Sequence, residues 1–115
     1  MNYVEKRPWG KFENLLDVEY CKVKRITIDP LQRISYQYHS KRKEAWTVVK
    51  GRGVVTLNGS AISVVKGDTV TIPFETKHRI ENIDNEDELI FIEVQSGTYF
   101  GEDDIVRLSD DYNRN

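Results

Sequence analysis

Four side chains stand at spacings that could build one metal centre: Gln37, His39, Glu44 and His78. Three of them fall within eight residues and the fourth arrives on a later segment; His39 and His78 are the only two histidines in the chain. Imidazole nitrogen, carboxylate oxygen and amide oxygen suit a borderline or hard divalent ion. Zinc is the first expectation for this donor set, with manganese, cobalt, nickel and iron open. Two neutral imidazoles, a neutral amide and one carboxylate leave such an ion with about one net positive charge. That excess favours anionic, oxygen-rich ligands, and the ion would serve as a Lewis acid on a ligand oxygen. Taken one at a time, each residue also reads as an ordinary solvated side chain; the four-residue spacing favours the metal.

The elements that must position these residues are strands. Alternation of apolar and polar residues recurs over 20–28, 33–39, 44–50, 54–57, 61–65, 68–72, 79–83 and 88–94, with a further short strand at Tyr3-Val4. Pro30 and Pro73 close two of these runs, and Asn58-Gly59 is a strong hairpin signal because both residues tolerate positive φ. About nine short strands at even spacing predict an all-β sandwich or barrel. Period 2 places Arg33, Ser35, Gln37 and His39 on one face. Arg33 is thereby a candidate for holding a phosphate or oxyanion, against the plainer reading of a rim charge. Lys22 and Lys24 share a strand face, and Arg42 lies between two of the candidate ligands. All three are candidate phosphate partners, although paired strand lysines are more often solvated. The acidic stretch from Gly101 to Asp111 admits a short helix with an acidic cap.

Composition narrows the rest. A chain of 115 residues makes one compact domain, 1–115. Its net charge of −2 with 31% charged residues argues against nucleic acid. Cys21 is the only cysteine, so an internal disulfide or a thiolate-rich metal site is out, and a reducing cytoplasm is the expectation. No apolar run approaches the roughly 20 residues of a membrane helix. The charged opening, Met1 to Arg7, has no apolar segment behind it and does not read as a signal peptide. Edge strands such as Tyr3-Val4 lead us to expect a homodimer.

The spacing Gln37-x-His39-x4-Glu44-x6-Gly51 resembles the first cupin motif, with Gln in place of its first histidine and Leu31 where its opening glycine belongs. Gly67-x5-Pro73-x-Glu75-x2-His78-x3-Asn82 resembles the second, with Glu75 in place of its middle glycine. Further strings (Arg7-Pro8-Trp9-Gly10, residues 20–25, Glu44-Ala45-Trp46, residues 78–82 and the long string 93–107) resemble the C-terminal domain of type II phosphomannose isomerases over nearly the whole chain. That family is usually fused to a sugar-nucleotide pyrophosphorylase. Here its histidine-rich stretch is Ser40-Lys41-Arg42-Lys43, and Ala45 stands where it often has His. The resemblance implies a double-stranded β-helix, or jelly-roll barrel, with Gln37, His39, Glu44 and His78 as metal ligands. It implies a metal-dependent isomerase interconverting mannose 6-phosphate and fructose 6-phosphate. Proton transfer between C1 and C2 would then need a positioned base. Glu102 lies in the long string and is a candidate for that role or for an acidic cap. The alternative is a non-catalytic sugar-phosphate-binding or regulatory cupin; Gln37 argues against a third reading, a small iron oxygenase.

Overall fold

The computed structural model describes residues 3–112; Met1 and Asn2 of the charged opening, and 113–115 at the other end, lie outside the described residues. Eleven strands and one 3-10 turn make up the fold. The first five strands are β1 (Tyr3–Arg7), β2 (Gly10–Val18), β3 (Cys21–Ile28), β4 (Tyr36–His39) and β5 (Arg42–Lys50). Then come β6 (Arg52–Leu57), β7 (Ser60–Val65), β8 (Thr69–Ile72), β9 (His78–Asn82) and β10 (Leu89–Gly97). The 3-10 turn Glu102–Asp104 leads into β11 (Ile105–Ser109). Two antiparallel sheets face each other, ordered β1-β2-β3-β10-β5-β8 and β11-β4-β9-β6-β7. This is the all-β jelly-roll expected. No helix among the described residues is long and apolar enough to cross a membrane.

Alternation decides what each strand sends inward. On β10, Leu89, Phe91, Glu93 and Gln95 are buried; on β5, Arg42, Glu44, Trp46 and Val48 are. These two strands pair centrally, with Phe91 opposite Val48, Glu93 opposite Trp46 and Gln95 opposite Glu44. The inward rows therefore change character along their length, apolar at one end and polar at the other. The apolar stretch is completed by Ile26, Ile28, Val55, Val64, Ile72 and Ile80.

Two strands lie where the sequence pattern showed none. β2 contains Leu15-Leu16, which breaks strict alternation, and the β2–β3 register shifts between Asn14 and Leu16. The extra residue is a bulge, and the strand beyond it is largely exposed. The acidic tail holds one 3-10 turn without a side-chain cap instead of a helix. It continues as β11, which pairs with β4 and completes the smaller sheet. Asn58 and Gly59, at φ 46° and 86°, make the two-residue β6–β7 turn that their sequence forecasts.

Candidate metal centre and anion cavity

The candidate ligands arrive from three strands in two sheets. Gln37 and His39 come from β4, Glu44 from β5 and His78 from β9, and Gln37 is the direct register partner of His78. Donor atoms of His39, Glu44 and His78 all lie within 4.8 Å of one another. All three side chains are at most 2% exposed. Glu44 stands between the imidazoles, 3.5 Å from His39 Nε2 by Oε2 and 3.8 Å from His78 Nε2 by Oε1.

His78 carries the clearest sign of a missing partner. Its Nδ1 lies 2.8 Å from the Thr76 carbonyl, which can only accept, so the proton sits on Nδ1 and Nε2 keeps a lone pair. That Nε2 is buried without a hydrogen-bond partner. A buried acceptor left open is costly unless something fills it. Backbone-fixed tautomers of this kind are how metal-binding histidines are oriented. Burial pushes both imidazoles down, His39 to about 2 with help from Arg42, and His78 in the same direction. Both are held neutral, the form a metal requires. His39, Glu44 and His78 could thus hold a metal ion. Gln37 lines the adjacent cavity with its Oε1 accepting from Ser35 Oγ at 2.8 Å.

That cavity has a volume of about 90 Å³. A single water needs only about 10–15 Å³ of such space, so the cavity has room for a phosphate-sized group. Four cations line it: Arg7, Lys24, Arg42 and Arg107. Lys24 is 4% exposed, its ammonium sits 4.2 Å from the Phe12 ring centroid, and it donates to Glu102 Oε1 at 2.8 Å. Arg107 contributes a buried Nε without a partner. Desolvation of Glu102 acts against its charge, but Lys24 and Arg42 outweigh that and hold its carboxyl below the usual range.

Glu93 forms the opposite wall. Trp46 Nε1 donates to both Glu44 Oε1 at 3.0 Å and Glu93 Oε2 at 3.1 Å, and Gln95 Nε2 donates to Glu93 Oε1 at 2.5 Å. Burial, with Glu44 nearby, pushes the Glu93 carboxyl up to about 7 against the pull of Lys24 and Arg42. Sequence reasoning passed over Glu93, Gln95, Arg7 and Arg107 as site residues. The signal for the first two was available: the inward row of β10 changes from Leu89 and Phe91 to Glu93 and Gln95.

The structure separates the remaining candidates. Lys24, Arg42 and Glu102 line the cavity. Lys22 does not; its nearest acid is Asp17 at 3.9 Å. Arg33 is also elsewhere, on the outer face of the smaller sheet. It is bound to both oxygens of Asp111 at 2.7 and 2.9 Å and lies 3.6 Å from Glu81. The predicted shared face fails there because β4 begins only at Tyr36, and Arg33 makes an isolated bridge to Glu81. Trp9 and Trp46 are core, and Asn82 is structural: its amide nitrogen donates to the Ile28 and Asp87 carbonyls.

A family model described as "Mannose-6-phosphate isomerase C-terminal" matches residues 2–110. A mannose-1-phosphate guanylyltransferase from Salmonella montevideo is 45% identical over 109 residues, covering 95% of this chain and 23% of that protein. One of the same name from Escherichia coli K12 is 40% identical over 108 residues, covering 94% of this chain and 22% of that protein. The chain spans less than a quarter of the length of these relatives. Among solved structures, the capsular polysaccharide assembling protein CapF from Staphylococcus aureus aligns with a TM-score of 0.82 at 21% identity, covering 95% of this chain and 34% of that one. The Schizosaccharomyces pombe Cnp3 cupin domain aligns with a TM-score of 0.72 at 16% identity, covering 76% of this chain and 64% of that one. These likenesses establish a cupin fold.

The relatives overturn the isomerase expectation. They carry the same domain at 40–45% identity, yet they are named for guanylyl transfer to mannose 1-phosphate and not for isomerising mannose 6-phosphate. The strings behind that expectation mark the domain, and the domain occurs inside proteins named for different chemistry. The isomerase assignment does not survive the comparison.

Proposed function

The chain belongs to the mannose-6-phosphate isomerase C-terminal family, and from that premise we propose that it is a metal-holding module that binds mannose 1-phosphate in the service of guanylyl transfer. One observation carries the reading: a buried His39–Glu44–His78 donor set beside a phosphate-sized cavity lined by four cations. The substrate comes from the relatives' name, and the chemistry of the cavity is consistent with it. A divalent ion on two neutral imidazoles and one carboxylate keeps positive charge. Lys24, Arg42 and Arg107 add more, so an anion is the ligand that neutralises the cavity. The phosphate would enter and the sugar would lie at the mouth, where the 3-10 turn Glu102–Asp104 sits. Zinc is the ion we assign, since imidazole nitrogen and carboxylate oxygen donors suit it. When bound, it would supply a Lewis acid to a ligand oxygen.

Metal analysis of protein purified without added metal, followed by calorimetric titration of the same sample, tests this. The expected result is one zinc per chain, lost in His39→Ala and His78→Ala. Mannose 1-phosphate should then bind, weakening with added salt, while free mannose should not. Metal-loaded protein that takes up no mannose 1-phosphate would refute the reading.

A further inference from the structure

We propose that Arg42 is an internal cation that occupies the metal donors until an ion arrives, and that its release couples metal binding to anion binding. The proposal rests on the reading of the site given above and adds a mechanism to it.

The guanidinium of Arg42 is 3% exposed and reaches two of the three metal donor groups. Its Nε donates to Glu44 Oε2 at 2.8 Å, and its Nη2 stands 3.2 Å from His39 Nε2. A guanidinium has only donors, so His39 must accept at Nε2. The one lone pair a metal would need on His39 Nε2 is therefore already engaged, and the same guanidinium holds one oxygen of Glu44. Burial acts against the charge of Arg42, but Glu44, Glu93 and Glu102 together outweigh it and keep the group protonated. It is a fixed positive charge in the place of another positive charge.

A divalent ion cannot share His39 Nε2 with it, because that nitrogen has one lone pair and a metal bond of about 2.0–2.2 Å would use it. Two cations that close, away from water, also repel strongly. Metal entry therefore requires the guanidinium to turn away. Other acceptors are already near: the Phe100 carbonyl lies 3.4 Å from Nη1, and Glu102 Oε2 lies 3.8 Å from Nη2. Glu102 lines the cavity. Turned that way, Arg42 joins Lys24, which holds Glu102 from the other oxygen. Glu102 is then the internal anion, and an incoming phosphate takes its place between the two cations. Arg42 and Glu102 are stand-ins, one for the metal and one for the phosphate. A metal releases Arg42 towards the phosphate, and a bound phosphate gives Arg42 a counter-ion away from the metal donors, which makes binding of the two mutually favourable.

Calorimetry on the chelator-stripped chain tests this, with zinc and mannose 1-phosphate titrated singly and each in the presence of the other. In the wild type, zinc should tighten mannose 1-phosphate by about tenfold, and mannose 1-phosphate should tighten zinc by the same factor. Arg42→Met, which keeps the packed stem, should bind zinc more tightly than the wild type when no anion is present. It should also lose most of the coupling. An arginine that merely supports the fold would give the opposite, weaker zinc binding. Arg42→Met that binds zinc no more tightly than the wild type overturns the proposal, even if the wild type binds both ligands. A wild type that binds neither ligand overturns the reading of the site as well. Should Arg42→Met fail to fold, a zinc-loaded wild-type structure decides: a guanidinium still bonded to Glu44 Oε2 refutes the displacement, and one turned to Glu102 or the cavity supports it.

Discussion

The two ends of the barrel interior are built by the same strands and obey different rules. At one end Ile28, Val48, Leu89 and Phe91 fill space, each at most 2% exposed, with no polar atom to satisfy. At the other, β3, β5, β9 and β10 present Lys24, Arg42, Glu44, His78, Glu93 and Gln95, all at most 5% exposed. The first end is what a fold needs. The second gathers ionisable groups whose burial is costly unless each is paired. Hydrogen bonds pair most of it, yet His78 Nε2 and Gln95 Oε1 are left over. One end stabilises; the other gathers buried charge at a cost to stability. Changes at each end should separate them.

The largest effect belongs to the apolar end. Leu89 is fully buried, so Leu89→Ala should lower unfolding free energy by about 3–4 kcal/mol through lost burial and an unfilled cavity. Urea denaturation measures it. Metal binding by the surviving folded fraction should stay as in the wild type, because Leu89 touches no donor.

The next effect sharpens the contrast through pH. Glu93 holds its proton up to about pH 7 in the folded chain, against an ordinary value of 4.5. Its contribution to stability is full below 4.5 and is lost as pH rises through 7. His39, held down to about 2, acts in the opposite sense: its contribution is present above its ordinary 6.5 and is lost as pH falls. Replacing Glu93 by Gln removes the first dependence and leaves the second. The substitution can be accommodated, since the open Gln95 Oε1 offers an acceptor to the new amide after a flip. Relative to the wild type, metal-free Glu93→Gln should gain on the order of 3 kcal/mol between pH 4.5 and pH 8. Parallel stability curves for the two proteins across that range would show that Glu93 is not protonated in the fold.

A third test fills the polar end. Zinc at a hundred times its dissociation constant should raise stability by about 2.7 kcal/mol. Thermal melts should show the increment in the wild type and in Leu89→Ala, and none in His78→Ala. An increment that survives His78→Ala would move the metal elsewhere.

How much of this the sequence disclosed follows the same division. The convergence of His39, Glu44 and His78 was legible because histidine is scarce and the motif spacing is long, and the apolar rows were legible from period 2. Arg33 misled because alternation was extended across 33–35, where the chain is not a strand. β2 was hidden by a bulge at Leu15, which no period reveals. Lys24 and Lys22 look identical in the sequence and both pair with the inward row of β10, Glu93 and Gln95; Lys24 is buried over the Phe12 ring, whereas Lys22 pairs with Asp17 towards the end of β2. The direction of Arg42 was not legible at all, because it depends on the facing sheet.

The smallest prediction concerns two turns, one of which holds the polar end in place. Leu31 and Glu75 occupy the points where the cupin motifs carry glycine, and their φ angles are 61° and 60°. The fold has kept the left-handed turn at both places and lost the residue that adopts it freely. The left-handed region costs a residue with a Cβ roughly 1–2 kcal/mol. The turn at Glu75 matters to the site: its backbone N–H donates to the His39 carbonyl at 2.7 Å, which fixes the end of β4. Leu31 donates likewise to the Asp84 carbonyl at 3.1 Å, and both side chains are exposed, so removing them sacrifices little packing. Glycine adds freedom to the unfolded chain, which offsets part of the gain. Leu31→Gly and Glu75→Gly should therefore each stabilise the protein by about 0.5–1 kcal/mol, additively because they lie in separate turns. Denaturant midpoints measure the sum. If both variants instead destabilise, the turns are not strained, and the departures from the motif are adaptations of this chain's backbone rather than a tolerated cost.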